Sequence, residues 1–238
     1  MLLYPCLLPR RLRVLFLLII VIALAPQLPA RAASTVYVVP GGAGAQTGAD
    51  WASAKDLQAA LQSATSGDQI WVKAGIYKPT SGSDRAATFQ LKSGVALYGG
   101  FAGTETSLGQ RDPATHISTL SGDLLGNDSG AVASNNPTRS ENSYHVVTGS
   151  GADATAVFDG FTITAGQASG ASLLGFGGGI FIQSGSPTVR YSIFSLNYAS
   201  MGGGMSNFNA SPVASNLVFT AIVRKAGPAS ETRRAILA

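Results

Sequence analysis

Cysteine is nearly missing from this 238-residue chain: the one present, Cys6, stands near the start. Beyond residue 32 neither a disulfide nor a thiolate metal site can form, so the domain must be held by its core and its backbone ladders. Charge is scarce too, at 12% of residues. The net +4 sits at the two ends: residues 1–32 carry four arginines and no acid, residues from Arg224 onward are basic, and residues 33–223 are slightly acidic. That distribution excludes a basic groove for nucleic acid. No apolar run reaches the ~18–20 residues that a membrane-crossing helix requires. The leucine spacing of leucine-rich repeats is lacking as well, and in the C-terminal repeat region Gly-Gly-Gly and Ser-Pro interrupt every window long enough for a helix.

What the chain does contain begins with a leader. Arg10, Arg11 and Arg13 precede the apolar run Val14–Leu24, then Pro26, Pro29 and Ala30-Arg31-Ala32. Basic, apolar and small residues in that order read as a secretory signal peptide over 1–32, cleaved after an A-x-A site. The other reading is an uncleaved N-terminal anchor. Either way the expected location is extracytoplasmic, secreted or at the cell surface. Membrane association would come only through that leader or through a C-terminal anchor.

The 29 glycines punctuate short β-branched and aromatic runs, which predicts many short strands with tight turns. Gly177-Gly178-Gly179-Ile180, Ser186-Pro187 and Ile193-Phe194 recur 25 residues later as Gly202-Gly203-Gly204-Met205, Ser211-Pro212 and Val218-Phe219. The same step relates Ile70-Trp71-Val72 to Val95-Ala96-Leu97 and Gly75 to Gly100. A repeat of this length is one unit stacking on its copies. Strands are expected at Val36–Val39, Gln69–Lys73, Val95–Tyr98, Tyr144–Thr148, Val157–Thr164, Gly179–Gln183, Thr188–Phe194 and Asn216–Phe219. One helix is expected, opened by a capping box at Ser53–Asp56 and carrying Leu57, Ala60, Leu61 and Ala64 on one face; it would cap the end of the stack. An antiparallel sandwich would also have regular short strands; pairing of residues near 180 with those near 205, rather than near 190, separates the two.

Ser66–Tyr77, SGDQIWVKAGIY, resembles the first coil of pectin-lyase-like parallel β-helix proteins, and Val95–Glu105, Leu120–Asp123, Glu141–Val147 and Asp159–Gly166 continue the likeness. Gly178-Gly179-Ile180 and Phe194-Ser195-Leu196-Asn197 resemble repeats of polymorphic outer-membrane proteins. The resemblance covers about residues 35–219 and implies an all-β, right-handed parallel β-helix with a short N-terminal capping helix. The expected organisation is a signal peptide over 1–32, a β-helix over 33–223, and a disordered or loosely helical basic tail over 224–238. After Phe219 the repeat calls for Asn where Ile222 stands, so the stack reads as truncated.

The fold hosts polysaccharide lyases and glycosidases, and the site is a separate matter. Asp123 and Asp128 bracket Gly126-Asn127 and could form a calcium loop, although a polar turn is the favoured reading. Asp159 reads as a turn acceptor for backbone N–H groups. Glu141 and His145 share a face if extended but lie ~13 Å apart, and His116 stands alone near a turn. Gly41-Gly42-Ala43-Gly44 is not followed by a helix start and is no phosphate loop. Asn197 and Asn207 read as structural asparagines inside turns. Trp51, Trp71, Tyr77, Tyr98 and Phe101 could form a sugar platform, though packing is favoured. No catalytic or cofactor-binding residue is assigned and no cofactor is expected; the presence of a metal is left open. The leading expectation is a non-catalytic scaffold or adhesin-like module that meets cell-surface polysaccharide or a host or cell surface. A polysaccharide lyase or glycoside hydrolase is the alternative.

Overall fold

Short strands closed by glycine turns cannot bury an apolar face within one turn of chain, so each takes its partner from the next turn. In the computed structural model, which describes residues 32–224 and 231–237, this is the rule throughout. The expected signal peptide lies outside the described residues, apart from Ala32. One ladder runs β1 (Thr35–Val38), β2 (Gln69–Lys73), β5 (Ala96–Phe101), β8 (Val157–Asp159), then the first parts of β12 (Thr188–Ser195) and β15 (Val213–Arg224), all parallel. A second joins β3 (Gly75–Tyr77), β6 (Ser118–Ser121) and β9 (Phe161–Thr164) to the later part of β12. A third stacks β4 (Phe89–Gln90), β7 (Val147–Thr148), β11 (Ile180–Gln183) and β14 (Met205–Phe208). Short β10 (Gln167–Ala168) and β13 (Tyr198–Ala199) continue the wall to the end of β15. The chain is a right-handed parallel β-helix, the hand that parallel crossovers adopt. Ile180 pairs with Met205, which excludes the sandwich.

The corners repeat with the coils. Gly160, Tyr191 and Asn216 follow the in-register residues Asp159, Arg190 and Ser215, and all three have positive φ, +85°, +48° and +52°. The expected strand Val157–Thr164 is therefore two strands bent at Gly160, and β12 bends at Tyr191. Tyr191 holds a conformation that bulky residues rarely adopt; the ladders on both sides impose it. The Gly-Gly-Gly triplets serve close approach instead. A Cβ on Gly178 would lie 2.2 Å from the Tyr198 carbonyl oxygen, and one on Gly179 would lie 2.4 Å from that of Gly204.

The core runs along the inside: Val38, Ile70, Leu97, Phe158 and Val189 come from successive coils of the first ladder, and Phe89, Val147, Ile180 and Ile182 from the third. Phe194 and Phe219, paired in register, stack at 4.8 Å. Helix α1 (Leu57–Ser63) buries Leu57, Ala60 and Leu61 against the first coil. Among the described residues no helix is long and apolar enough to cross a membrane.

Four expectations change. The 25-residue step holds for β11–β14 and β12–β15, but Ile70 pairs with Leu97, and Gly75 pairs with Ser118 rather than Gly100; loops inserted between the early coils vary their length. The capping box at Ser53 does not form. Asp56 is the N-cap, its carboxylate accepting from Gln58 N, because Ser53 lies in a turn and Lys55 is bridged to Val38 before the helix starts. Of Tyr144–Thr148 only Val147–Thr148 is strand. Where a disordered tail or loose helix was expected, Arg224 ends β15 and Glu231–Leu237 form β16, antiparallel to β15. An edge strand offers unpaired N–H and C=O groups to any segment that can reach it.

Candidate functional site

The aromatics expected either to pack or to bind sugar mostly pack. Tyr37, Trp71 and Tyr98 are in-register neighbours on the outer side of the first ladder. Trp71 stacks on Phe101 at 4.8 Å, and Trp51 leans on Tyr37. Trp71, Tyr98 and Phe101 are buried, as is Tyr77, whose hydroxyl donates to the Lys73 carbonyl. Trp51 Nε1 donates to the Glu105 carbonyl. Burial would raise the Glu105 carboxyl, but amides of Ala102, Thr104 and Gly103 outweigh it and hold the group below its usual value.

The same outer row continues to Asp159 and Arg190. Asp159 is not the backbone acceptor expected of it. Its buried carboxylate receives Arg111 Nη2 at 2.7 Å and Arg190 Nε at 2.7 Å, and the Arg111 guanidinium lies over the Tyr98 ring. A strand position directs the carboxylate outward, where only arginines from other segments reach it; no local turn amide does.

Glu141 and His145 part company. Since residues 144–146 are not strand, they do not share a face. The His145 ring stacks on Phe181 at 5.0 Å with Nδ1 3.2 Å from the Gly177 carbonyl oxygen, and burial pushes its pKa down. His116 sits in the turn begun by Asp112, its N–H bonded to the Asp112 carbonyl. Gly41, Gly42 and Gly44 have positive φ and form turns. Asn197 and Asn207 do not stack on each other. Asn197 is buried at a corner, accepting from Gly166 N and donating to the Ile163 carbonyl, whereas Asn207 lies exposed in β14.

Glu141 instead joins Asp123 and Asp128. One carboxylate oxygen from each lies within 4.8 Å of the other two. Asp123 fills the polar-turn role, accepting from Gly126 N, Asn127 N and Asp128 N. Asp128 Oδ2 takes Arg139 Nη1 at 2.5 Å and Asn142 Nδ2 at 3.0 Å. Arg139 is itself buried and anchored to the β9–β10 corner through Gln167 Oε1 and the Gly166 carbonyl, and to the β12–β13 corner through the Leu196 carbonyl. Burial raises the Asp128 pKa and lowers that of Arg139. Asp128 Oδ1, Glu141 Oε1, Asn142 Oδ1 and Ser143 Oγ are all buried without a hydrogen-bond partner among the described residues. Sequence spacing paired Asp123 with Asp128 but not with Glu141, which the return of the chain beside Gly122 brings in: Ser143 N donates to the Gly122 carbonyl.

A groove of about 520 Å³ opens elsewhere, on the outer side of β12 and β15. Tyr191, Ile193 and Val218 form its apolar floor, and Arg111, Asp112 and Pro113 flank it.

No family model and no curated protein matches the chain. Among solved structures, the crystal structure of pectate lyase Pel9A is similar at 15% identity with a TM-score of 0.47, over 80% of this chain. The chain spans 39% of that protein's length.

Proposed function

We propose that this is an exported, non-catalytic β-helical scaffold or adhesin-like module whose outer surface meets cell-surface polysaccharide or another cell's surface. The observation that carries the reading is that open surface and clustered acids do not coincide. The groove along β12 and β15 is floored by Tyr191, Ile193 and Val218 and does not contain Asp123, Asp128 or Glu141. A glycosidase needs two carboxyl groups free to act on one bound sugar. Here Asp159 is held by two arginines, Glu105 by loop amides, and Asp128 by Arg139. An exposed aromatic with aliphatic neighbours and a few polar groups suits adhesion to a sugar face or a protein.

The alternative, a polysaccharide lyase or hydrolase, draws on the three-carboxylate cluster. A panel of acidic and neutral polysaccharides incubated with the purified chain separates the two. The expected result is no release of unsaturated or reducing sugar, with retention on one or more immobilised polysaccharides. Steady product release that is lost in Glu141→Gln would establish the alternative. Export rests on residues 10–32. The mature protein recovered outside the cytoplasm should have an intact mass that begins at or near Ala33, and full-length chain confined to cytosol would refute it.

A further inference from the structure

The geometry points to a Ca²⁺ site formed by the carboxylates of Asp123, Asp128 and Glu141 together with the amide oxygen of Asn142. It is independent of export and of surface binding.

Three acids in one half-buried place are not by themselves a site. The second observation is Asn142. This residue is fully buried, and its amide is pinned in orientation, Nδ2 donating to both Asp128 Oδ2 and the Ala165 carbonyl. That leaves Oδ1 as a buried acceptor with no donor among the described residues. Asp128 Oδ1 and Glu141 Oε1 share its condition. Buried oxygens without donors are uncommon and costly; three of the four unpartnered atoms in this segment are pure acceptors and the fourth, Ser143 Oγ, is a hydroxyl with lone pairs of its own, a set that suits a positive centre.

Charge agrees. Three carboxylates against the Arg139 guanidinium leave a formal −2, which one divalent ion neutralises. Arg139 is committed to Asp128 and to the β9–β10 and β12–β13 corners, so its donors are not aimed at Glu141. The donors are all oxygen, which selects a hard cation over zinc or copper. The number of carboxylates favours Ca²⁺ over Mg²⁺. Ca²⁺ takes several protein oxygens at once in flexible geometry, whereas Mg²⁺ keeps several waters and takes one or two carboxylates. Here three carboxylates place oxygens within 4.8 Å of one another. Water completes the six to eight ligands that Ca²⁺ takes. The ion would tie the loop after β6 to the segment leading into β7 and, through Asn142 and Arg139, to the β9–β10 corner.

The test uses the purified chain stripped with EDTA, titrated with CaCl₂ and, separately, MgCl₂ in a calorimeter, with thermal melts alongside. Expected are one Ca²⁺ per chain, a melting temperature raised by Ca²⁺, and little response to Mg²⁺. Glu141→Gln should weaken Ca²⁺ binding at least tenfold while leaving the melt in EDTA unchanged or raised, since it removes like-charge repulsion from the empty site. Asp123→Asn should weaken binding similarly and serves as the second variant if the first does not fold. No saturable binding by the wild-type chain up to about 10 mM Ca²⁺, ten times the weakest usual calcium sites, overturns the proposal. So does binding that survives undiminished in both variants.

Discussion

Replacing Asp159 with asparagine is expected to destabilise the folded chain by about 3 kcal/mol, the lower end of the 3–5 kcal/mol seen when one partner of a buried ion pair is removed. Asp159 is 1% exposed and meets two arginines, each at 2.7 Å. Asparagine keeps the shape but loses the charge, and two guanidinium groups then have no counterion there. Arg190, with 38% of its side chain exposed, can turn to water, which limits the loss. Arg111, in the loop between β5 and β6, is more enclosed, with 16% of its side chain exposed and its guanidinium over the Tyr98 ring. The melting temperature should fall by roughly 6–12 °C for a domain of this size, and fluorescence of Trp71 and Trp51 should report the loosened loop before global unfolding. A loss in urea titration below about 1 kcal/mol, the value of an exposed pair, would show that solvent screens this cluster fully.

Asn197→Ala should have an effect of similar size for a different reason. Its side chain bonds two backbone groups on the preceding coil, the Gly166 N–H and the Ile163 carbonyl, each at 2.9 Å. Alanine leaves the Gly166 N–H buried and unpaired at about 1–3 kcal/mol and removes a side-chain donor from the Ile163 carbonyl at about 1 kcal/mol more, a sum of about 2–4 kcal/mol. Hydrogen exchange gives a sharper reading than a melt. The Gly166 amide should lose protection selectively, while amides in the middle of β9 keep theirs. Uniform loss along β9 would mean that the side chain holds the whole coil rather than one corner.

These two residues also show how far local sequence carries an argument. The corner role of Asn197 was legible, because a lone Asn after a strand in a glycine-punctuated repeat has backbone to satisfy. Its expected companion Asn207 was misplaced: it falls in β14, where its side chain points to solvent rather than into a turn. Asp159 looked like a turn residue because Gly160 follows it. The turn is there, but Arg111 and Arg190 come from other segments, and no local spacing announces them. Likewise Asp123 and Asp128 were paired by their closeness in sequence, while Glu141 was matched to His145 on the assumption of a strand that does not form there.

Composition and periodicity by themselves determined an all-β, glycine-turned fold with a 25-residue step near the C-terminal end, begun by a small amphipathic helix. That the strands stack in parallel was implied by the family resemblance and decided against a sandwich by the pairing of Ile180 with Met205. The features read from composition and periodicity are local, since turn chemistry and period-2 burial are set by residues a few places apart. The variable step of the early coils, the covering of the outer aromatic row, the antiparallel strand on β15 and the meeting of three carboxylates were decided only by tertiary structure. Each depends on where a loop returns to the stack, and loop return is governed by packing between residues tens of positions apart, which no short window of sequence contains.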